Sequence, residues 1–249
     1  MDTRKSIGAL VLVVALGAMA LAAPLASATR VTPAGTAIKA TLAANSEGRV
    51  AALFIPTNAF ATTSVQCLKS ETTATTPSQA AGSENNTNRT GTGTFSTGPG
   101  GVFTDLSTPT FTECGVYIRS GSAWVKVKEA ETKTNSTNGK WTLSVDALTP
   151  SALSAAIGVP SGGASIFIPT EATKECTITV SNERSSAVMG RWTNGTNSTA
   201  VPSTLKVDSQ LSFAQAGAGC VASSSPAQFE ATYAVRTNPE GATAVKVEE

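Results

Sequence analysis

Four cysteines, Cys67, Cys114, Cys176 and Cys220, are the residues of this chain best equipped for chemistry, and their surroundings decide which chemistry is open to them. No C-x-x-C pair occurs, so a thiolate zinc site has no local starting point and no metal is expected. A nucleophilic thiol needs an activating base, and the 249-residue chain contains no histidine. The same absence removes serine–histidine–aspartate triads and every histidine-ligated metal centre. What remains for an even number of cysteines in an oxidising compartment is two disulfides. Three connectivities are open, and the separations of 47 and 44 residues, nearly equal, favour Cys67 with Cys114 and Cys176 with Cys220. In the chain-entropy model each such closure stabilises the fold by about 4 kcal/mol.

Other histidine-free routes are thinner. An S-x-x-K match runs from Ser203 to Lys206, but the surrounding alternation reads as strand, where residues three apart face opposite ways. A carboxylate pair able to hydrolyse glycosides would have to come from residues such as Asp105, Glu113, Asp146, Glu175 and Asp208, which are scattered through polar stretches as solvated surface residues are. Gly91 to Gly98, GTGTFSTG, lacks the G-x-G-x-x-G spacing, and Asn138-Gly139-Lys140-Trp141 lacks the hydroxyl residue that follows a Walker lysine. No cofactor is expected. One ligand-binding arrangement is on offer: Trp192 leads into TNGTNST, placing Asn194 and Asn197 beside a ring able to stack on a pyranose. Against it stands the scarcity of aromatics, since a core would claim Trp124, Trp141 and Trp192 first. Asn85, Asn88, Asn135, Asn194 and Asn197 sit in N-x-S/T sequons, which matter in a eukaryotic secretory pathway and are otherwise turn chemistry.

The elements that must position these residues are strands. Leu205, Val207, Leu211 and Phe213 fall on one face of STLKVDSQLSF, with Ser209 a polar interruption. Phe229, Ala231, Tyr233 and Val235 do the same in QFEATYAVR, as do Cys176, Ile178 and Val180, and Trp141, Leu143 and Val145. Such half-buried strands imply sheets with one face to a core. Asn138-Gly139 and Asn194-Gly195 predict hairpin turns, and Gly91–Gly101 and Pro160–Ala164 predict loops. Ser70 to Thr90 has little hydrophobicity or pattern and reads as a long exposed excursion. Only Ser151 to Gly158, SALSAAIG, has helical character, stopped by Gly158 and Pro160.

FIPT occurs twice, Phe54 to Thr57 and Phe167 to Thr170, each followed by a cysteine and then, some 45 residues on, by a second one. This order points to two related halves, although Thr57 precedes Cys67 by ten residues and Thr170 precedes Cys176 by six. The fold expected is all-β: two β-sandwich-like halves, residues 29–149 and 150–249, each with one disulfide. One larger sandwich is the alternative.

The N-terminus has a short basic start, an apolar run and Ala26-x-Ala28, the layout of a signal peptide over residues 1–28. An uncleaved anchor is the other reading, since Ile7 to Ala23 approaches bilayer-spanning length. Cleavage would remove two basic residues and one acidic one, leaving a formally neutral chain. Neutrality gives no footprint for phosphates, so nucleic acid is not an expected partner. Membrane contact is expected only through the signal before cleavage.

The signal ending in ASA, the opening TRVTPAGTAIKAT, NGKWTLSV, ECTITV, RWTNGTNST and FEATYAV together resemble uncharacterised secreted proteins of high-GC Gram-positive bacteria. The resemblance implies an exported bacterial product and no particular activity. The expectation is a secreted or envelope protein without enzymatic activity, structural or adhesive, with a carbohydrate-binding module for extracellular polysaccharide as the alternative and a histidine-free hydrolase third.

Overall fold

The computed structural model describes residues 30–43, 51–58, 61–76, 102–149, 152–171, 174–180, 188–220 and 226–248. The expected signal peptide, the glycine-rich loop at 91–101, and Asn85 and Asn88 lie outside the described residues. The described residues hold strands and no helix. In chain order these are β1 Arg30–Thr32, β2 Ala37–Leu42, β3 Ala51–Asn58, β4 Ala61–Thr75, β5 Val102–Leu106, β6 Thr110–Ser120, β7 Ala123–Glu129, β8 Glu131–Thr134, β9 Trp141–Thr149, β10 Ala152–Gly158, β11 Ala164–Glu171, β12 Lys174–Val180, β13 Val188–Thr193, β14 Ser203–Leu211, β15 Phe213–Ala216, β16 Ala227–Thr237 and β17 Lys246–Glu248.

Eight strands close into an antiparallel barrel, β2-β16-β14-β13-β10-β9-β5-β4 and back to β2. Closure leaves no free edge in that ring. The inward faces follow the period of two: in β14, Ser203, Leu205, Val207, Ser209 and Leu211 are buried and the residues between them are not.

Several barrel strands continue into a second tier. β2 and β3 share one slot between β4 and β16, with Leu42 opposite Tyr233 and Ala51 opposite Ala231. The 15-residue β4 spans both tiers, pairing with β2 near its C-terminal end and with β3 and β6 before that. A four-stranded sheet, β15-β12-β11-β8, repeats the order β14-β13-β10-β9 of the barrel wall, because each of its strands is a chain neighbour of the wall strand at that place. The short pair β1 and β17 supplies Val31 and Val247 to the same core as the barrel.

Strand pairing does not divide the chain at residue 150. β1 pairs with β17, β2 and β3 with β16, β8 with β11, and β9 with β10, all across that border, and one hydrophobic cluster joins residues from Val31 to Val247. The two sandwich-like halves are therefore corrected to one barrel with a second tier. The physical reason is that either half alone would leave the inner face of an incomplete wall in water.

Local expectations are corrected in three places. Within SALSAAIG, Ala152–Gly158 forms strand β10, with Leu153 and Ala155 buried between β9 and β13; short apolar segments fit either period, and the neighbouring ladders decide. The polar run from Ser70 begins inside β4, where Ser70 and Thr72 are buried; β-branched threonines suit a strand that the sparse hydrophobicity concealed. Its continuation at 77–90 lies outside the described residues. Asn138-Gly139 joins β8 to β9, which belong to different sheets, and Asn194-Gly195 opens a nine-residue link at 194–202 in the β13–β14 hairpin, so neither is a two-residue hairpin turn.

The FIPT echo marks two matching hairpins. In β3–β4 the register shifts between Pro56 and Asn58; in β11–β12 it shifts between Pro169 and Glu171, so the threonine is the extra residue in both. The cysteines do not match: Cys67 stands opposite Ala51, whereas Cys176 stands opposite Ile168. That offset accounts for the unequal spacing from motif to cysteine. The bulged hairpin is the shared feature, and the cysteines stand at different rungs.

Candidate functional site

The disulfides join Cys67 to Cys114 and Cys176 to Cys220, with no free cysteine left. The first links β4 to β6, where the two residues face each other in register. The second ties β12 to the segment after β15.

The sugar-stacking arrangement does not survive the geometry. Trp192 is 3% exposed, and its Nε1 donates to Asn194 Oδ1 at 2.9 Å. The Asn194 amide donates to the Val247 carbonyl at 2.7 Å, while its Oδ1 also accepts from the Val247 backbone N–H at 2.8 Å. Asn194 thus acts as a substitute strand partner that docks β17 on the barrel. Asn197 Oδ1 accepts from the Thr199 N–H and hydroxyl and from the Ala200 N–H, which folds the link before β14. Gly195 is needed there because a Cβ would collide with the Val201 carbonyl oxygen and the Ser203 nitrogen. Trp141 is also buried and donates to the Asn135 carbonyl at 3.0 Å; Trp124 is half-buried and tilts against Phe54 at 5.6 Å between ring centres.

The S-x-x-K match finds no geometry either. Ser203 is fully buried and Lys206 exposed, on opposite faces of β14. Asp105 contacts Lys140 at 2.7 Å, Glu113 pairs with Lys69, and Asp208 accepts from Gln228. Among the described residues no group of three or more cysteine or acidic side chains is arranged to hold a metal.

A cavity of about 110 Å³ lies in the core instead; every one of the eight barrel strands lends it at least one side chain, and β3, β6, β8, β11 and β12 of the second tier lend others. Its wall is almost wholly apolar, with Ile38, Leu106, Leu143, Ile157, Val188, Leu205 and Val235 prominent. Its few polar groups are mostly engaged by protein: the Thr72 hydroxyl donates to the Ser107 carbonyl at 2.7 Å, and the Thr132 hydroxyl donates to Cys114 Sγ at 3.3 Å. Tyr233 is the exception in kind, a buried phenol whose oxygen lies 3.2 Å from the Ser70 hydroxyl. Burial pushes its pKa up to about 12, against a smaller lowering by the Ser70 hydrogen bond, so it stays neutral across the physiological range.

Sequence reasoning missed this cavity. Its wall residues were partly visible as alternating strands, but the lining also brings Thr72 and Ala74, from the run read as an exposed excursion, together with Tyr233. The meeting depends on closure of the ring, which no local pattern encodes. Comparison with family models, curated proteins and solved structures gave no match.

Proposed function

We propose that this chain is an exported, non-enzymatic binding protein that holds a small apolar molecule inside its barrel. The observation that carries the reading is the apolar cavity of about 110 Å³ bounded by all eight barrel strands. Eight-stranded barrels are at the size where side chains either fill the interior or leave room for one small ligand. An empty void has a cost: at roughly 24 cal/mol per Å³, this one amounts to roughly 2.6 kcal/mol, a large part of a typical net stability of ~5–15 kcal/mol. An occupant would offset that cost. Export is supported by the signal-like N-terminus, the resemblance to secreted bacterial proteins and the two disulfides, which suit an oxidising compartment. The carbohydrate-binding alternative loses its platform with the burial of Trp192.

Native mass spectrometry of protein taken directly from the medium tests the proposal. The expected spectrum carries a small noncovalent adduct that is lost in Ala74→Leu, which fills part of the cavity. A mass equal to the polypeptide alone, in the gentlest conditions and in both proteins, would return the chain to the purely structural or adhesive reading.

A further inference from the structure

The face of the second-tier sheet turned away from the core carries a cluster that the barrel does not use. Strand register sets two neighbouring rows on it across β16, β3, β4, β6 and β7. One row runs Gln228, Phe54, Ser64, Tyr117 and Lys126, and the next Glu230, Ala52, Gln66, Gly115 and Glu129. The core packs on the opposite side, against Leu53, Val65 and Val116. The outward face of an antiparallel sheet ordinarily meets water, yet Ala52, Ser64, Gln66 and Gly115 are buried. Side chains from the edge strand β7 cover part of this floor. The Lys126 stem lies over Gly115, where a Cβ would collide with it, and its Nζ contacts Glu129 at 2.7 Å. The half-buried Trp124 reaches over β6 and β4 to bring its ring 5.6 Å from that of Phe54.

The covered floor is polar and unpaired. Ser64 is 0% and Gln66 8% exposed, and neither the Ser64 hydroxyl nor the Gln66 amide nitrogen has a hydrogen-bond partner among the described residues. Buried groups left in that state cost free energy, which a ligand supplying the partners returns. Their cover is lightly held, because Trp124 and Lys126 stand on an edge strand and swing aside by rotamer changes that break no ladder. An exposed ion pair such as Lys126–Glu129 is a weak latch. Lifting the cover leaves an aromatic centre of Phe54, Tyr117 and Trp124, two hydrogen-bonding groups on the floor, and a rim where Glu129 and Glu230 outnumber Lys126. An anion finds no net positive charge there, and a hydrocarbon leaves the floor unpaired. A pyranose ring has an apolar C–H face for the aromatics and neutral hydroxyls that donate and accept, the pairing of apolar wall and few polar contacts that ligand sites use. We propose that this face is a second binding site, for a neutral pyranose glycan, whose ring lies against Trp124 and whose hydroxyls pair with Ser64 and Gln66. None of these residues lines the cavity, so the site stands independently of the reading given to it.

Tryptophan fluorescence reads the site, since Trp141 and Trp192 are buried and Trp124 is only half-buried. Cellohexaose, maltohexaose and N-acetylchitohexaose are each titrated into the full exported protein with both disulfides intact, with calorimetry in parallel. At least one changes the emission saturably and binds by calorimetry. Trp124→Ala loses that binding. In the Ser64→Ala/Gln66→Leu double variant the affinity falls about tenfold, while stability in urea is unchanged or higher, because the groups removed had no partner to lose. Failure of all three sugars to bind overturns the proposal, as does an affinity left unchanged by either variant. A double variant that is markedly less stable or unfolded also overturns it, by showing that both groups are already partnered in the free protein.

Discussion

Pro56 and Pro169 occupy the same position in two hairpins, each two residues beyond the last phenylalanine that is paired on both edges. Phe54 lies between Gln228 and Ser64, and Phe167 between Glu131 and Thr177; past them, β3 and β11 keep only their hairpin partners. A residue without a backbone N–H is tolerated where one edge needs no donor and excluded where both do. FIPT therefore spells the passage from central strand to edge, and it recurs because the hairpin does.

Pro169→Val should change stability by about 0.5 kcal/mol or less in urea unfolding, as expected for an edge position, whereas Phe167→Pro should cost ~3 kcal/mol or more. Equal effects from the two substitutions would show that β11 is not held from both sides at Phe167.

Asn194 joins the Trp192 indole to both backbone groups of Val247. Asn194→Ala should lower stability by roughly 1–2 kcal/mol, with exchange of the Val247 amide accelerated. Asn194→Asp, which keeps the acceptor and loses the donor, should fall between the two. A stability loss without faster exchange at Val247 would mean that β17 is held by something else.

Tyr233 makes stability depend on alkali. Its folded pKa of about 12 lies above the ordinary 10.0, so the folded state keeps a proton that the unfolded chain gives up. The contribution is complete below pH 10 and is lost as pH rises through 12, by roughly 3 kcal/mol at 1.36 kcal/mol per pKa unit. Lysines titrate in the same range, so the measurement is a difference: wild-type and Tyr233→Phe unfolding free energies should draw together, or cross in favour of the variant, between pH 9 and 12. A pH-independent gap would place the phenol in contact with water.

How far the sequence could be read follows from the range of each interaction. The inner faces of β9, β12, β14 and β16 were legible because alternation is local: Trp141, Cys176, Leu205 and Tyr233 each sit in phase with buried neighbours two residues away. Cysteine pairing was legible through two nearly equal spans. Closure of the ring was not, because the β2–β16 and β4–β2 ladders join segments that share no local signal. Ala155 in β10 shows a second limit, since a small apolar residue satisfies helix and strand equally until β9 and β13 flank it. Trp192 shows a third: a ring beside a polar loop reads as a platform until the loop is seen to fold back and hydrogen-bond its indole.

Whether the barrel interior is an accessible apolar site is read out by a crystal held under xenon pressure, because xenon enters dry apolar cavities of this size class. A xenon atom is expected inside the ring of β2, β16, β14, β13, β10, β9, β5 and β4, in van der Waals contact with Leu143, Leu205 and Val235, and lost in Ala74→Leu. A barrel interior that holds no xenon, or that is filled by ordered water or repacked side chains, would contradict that reading.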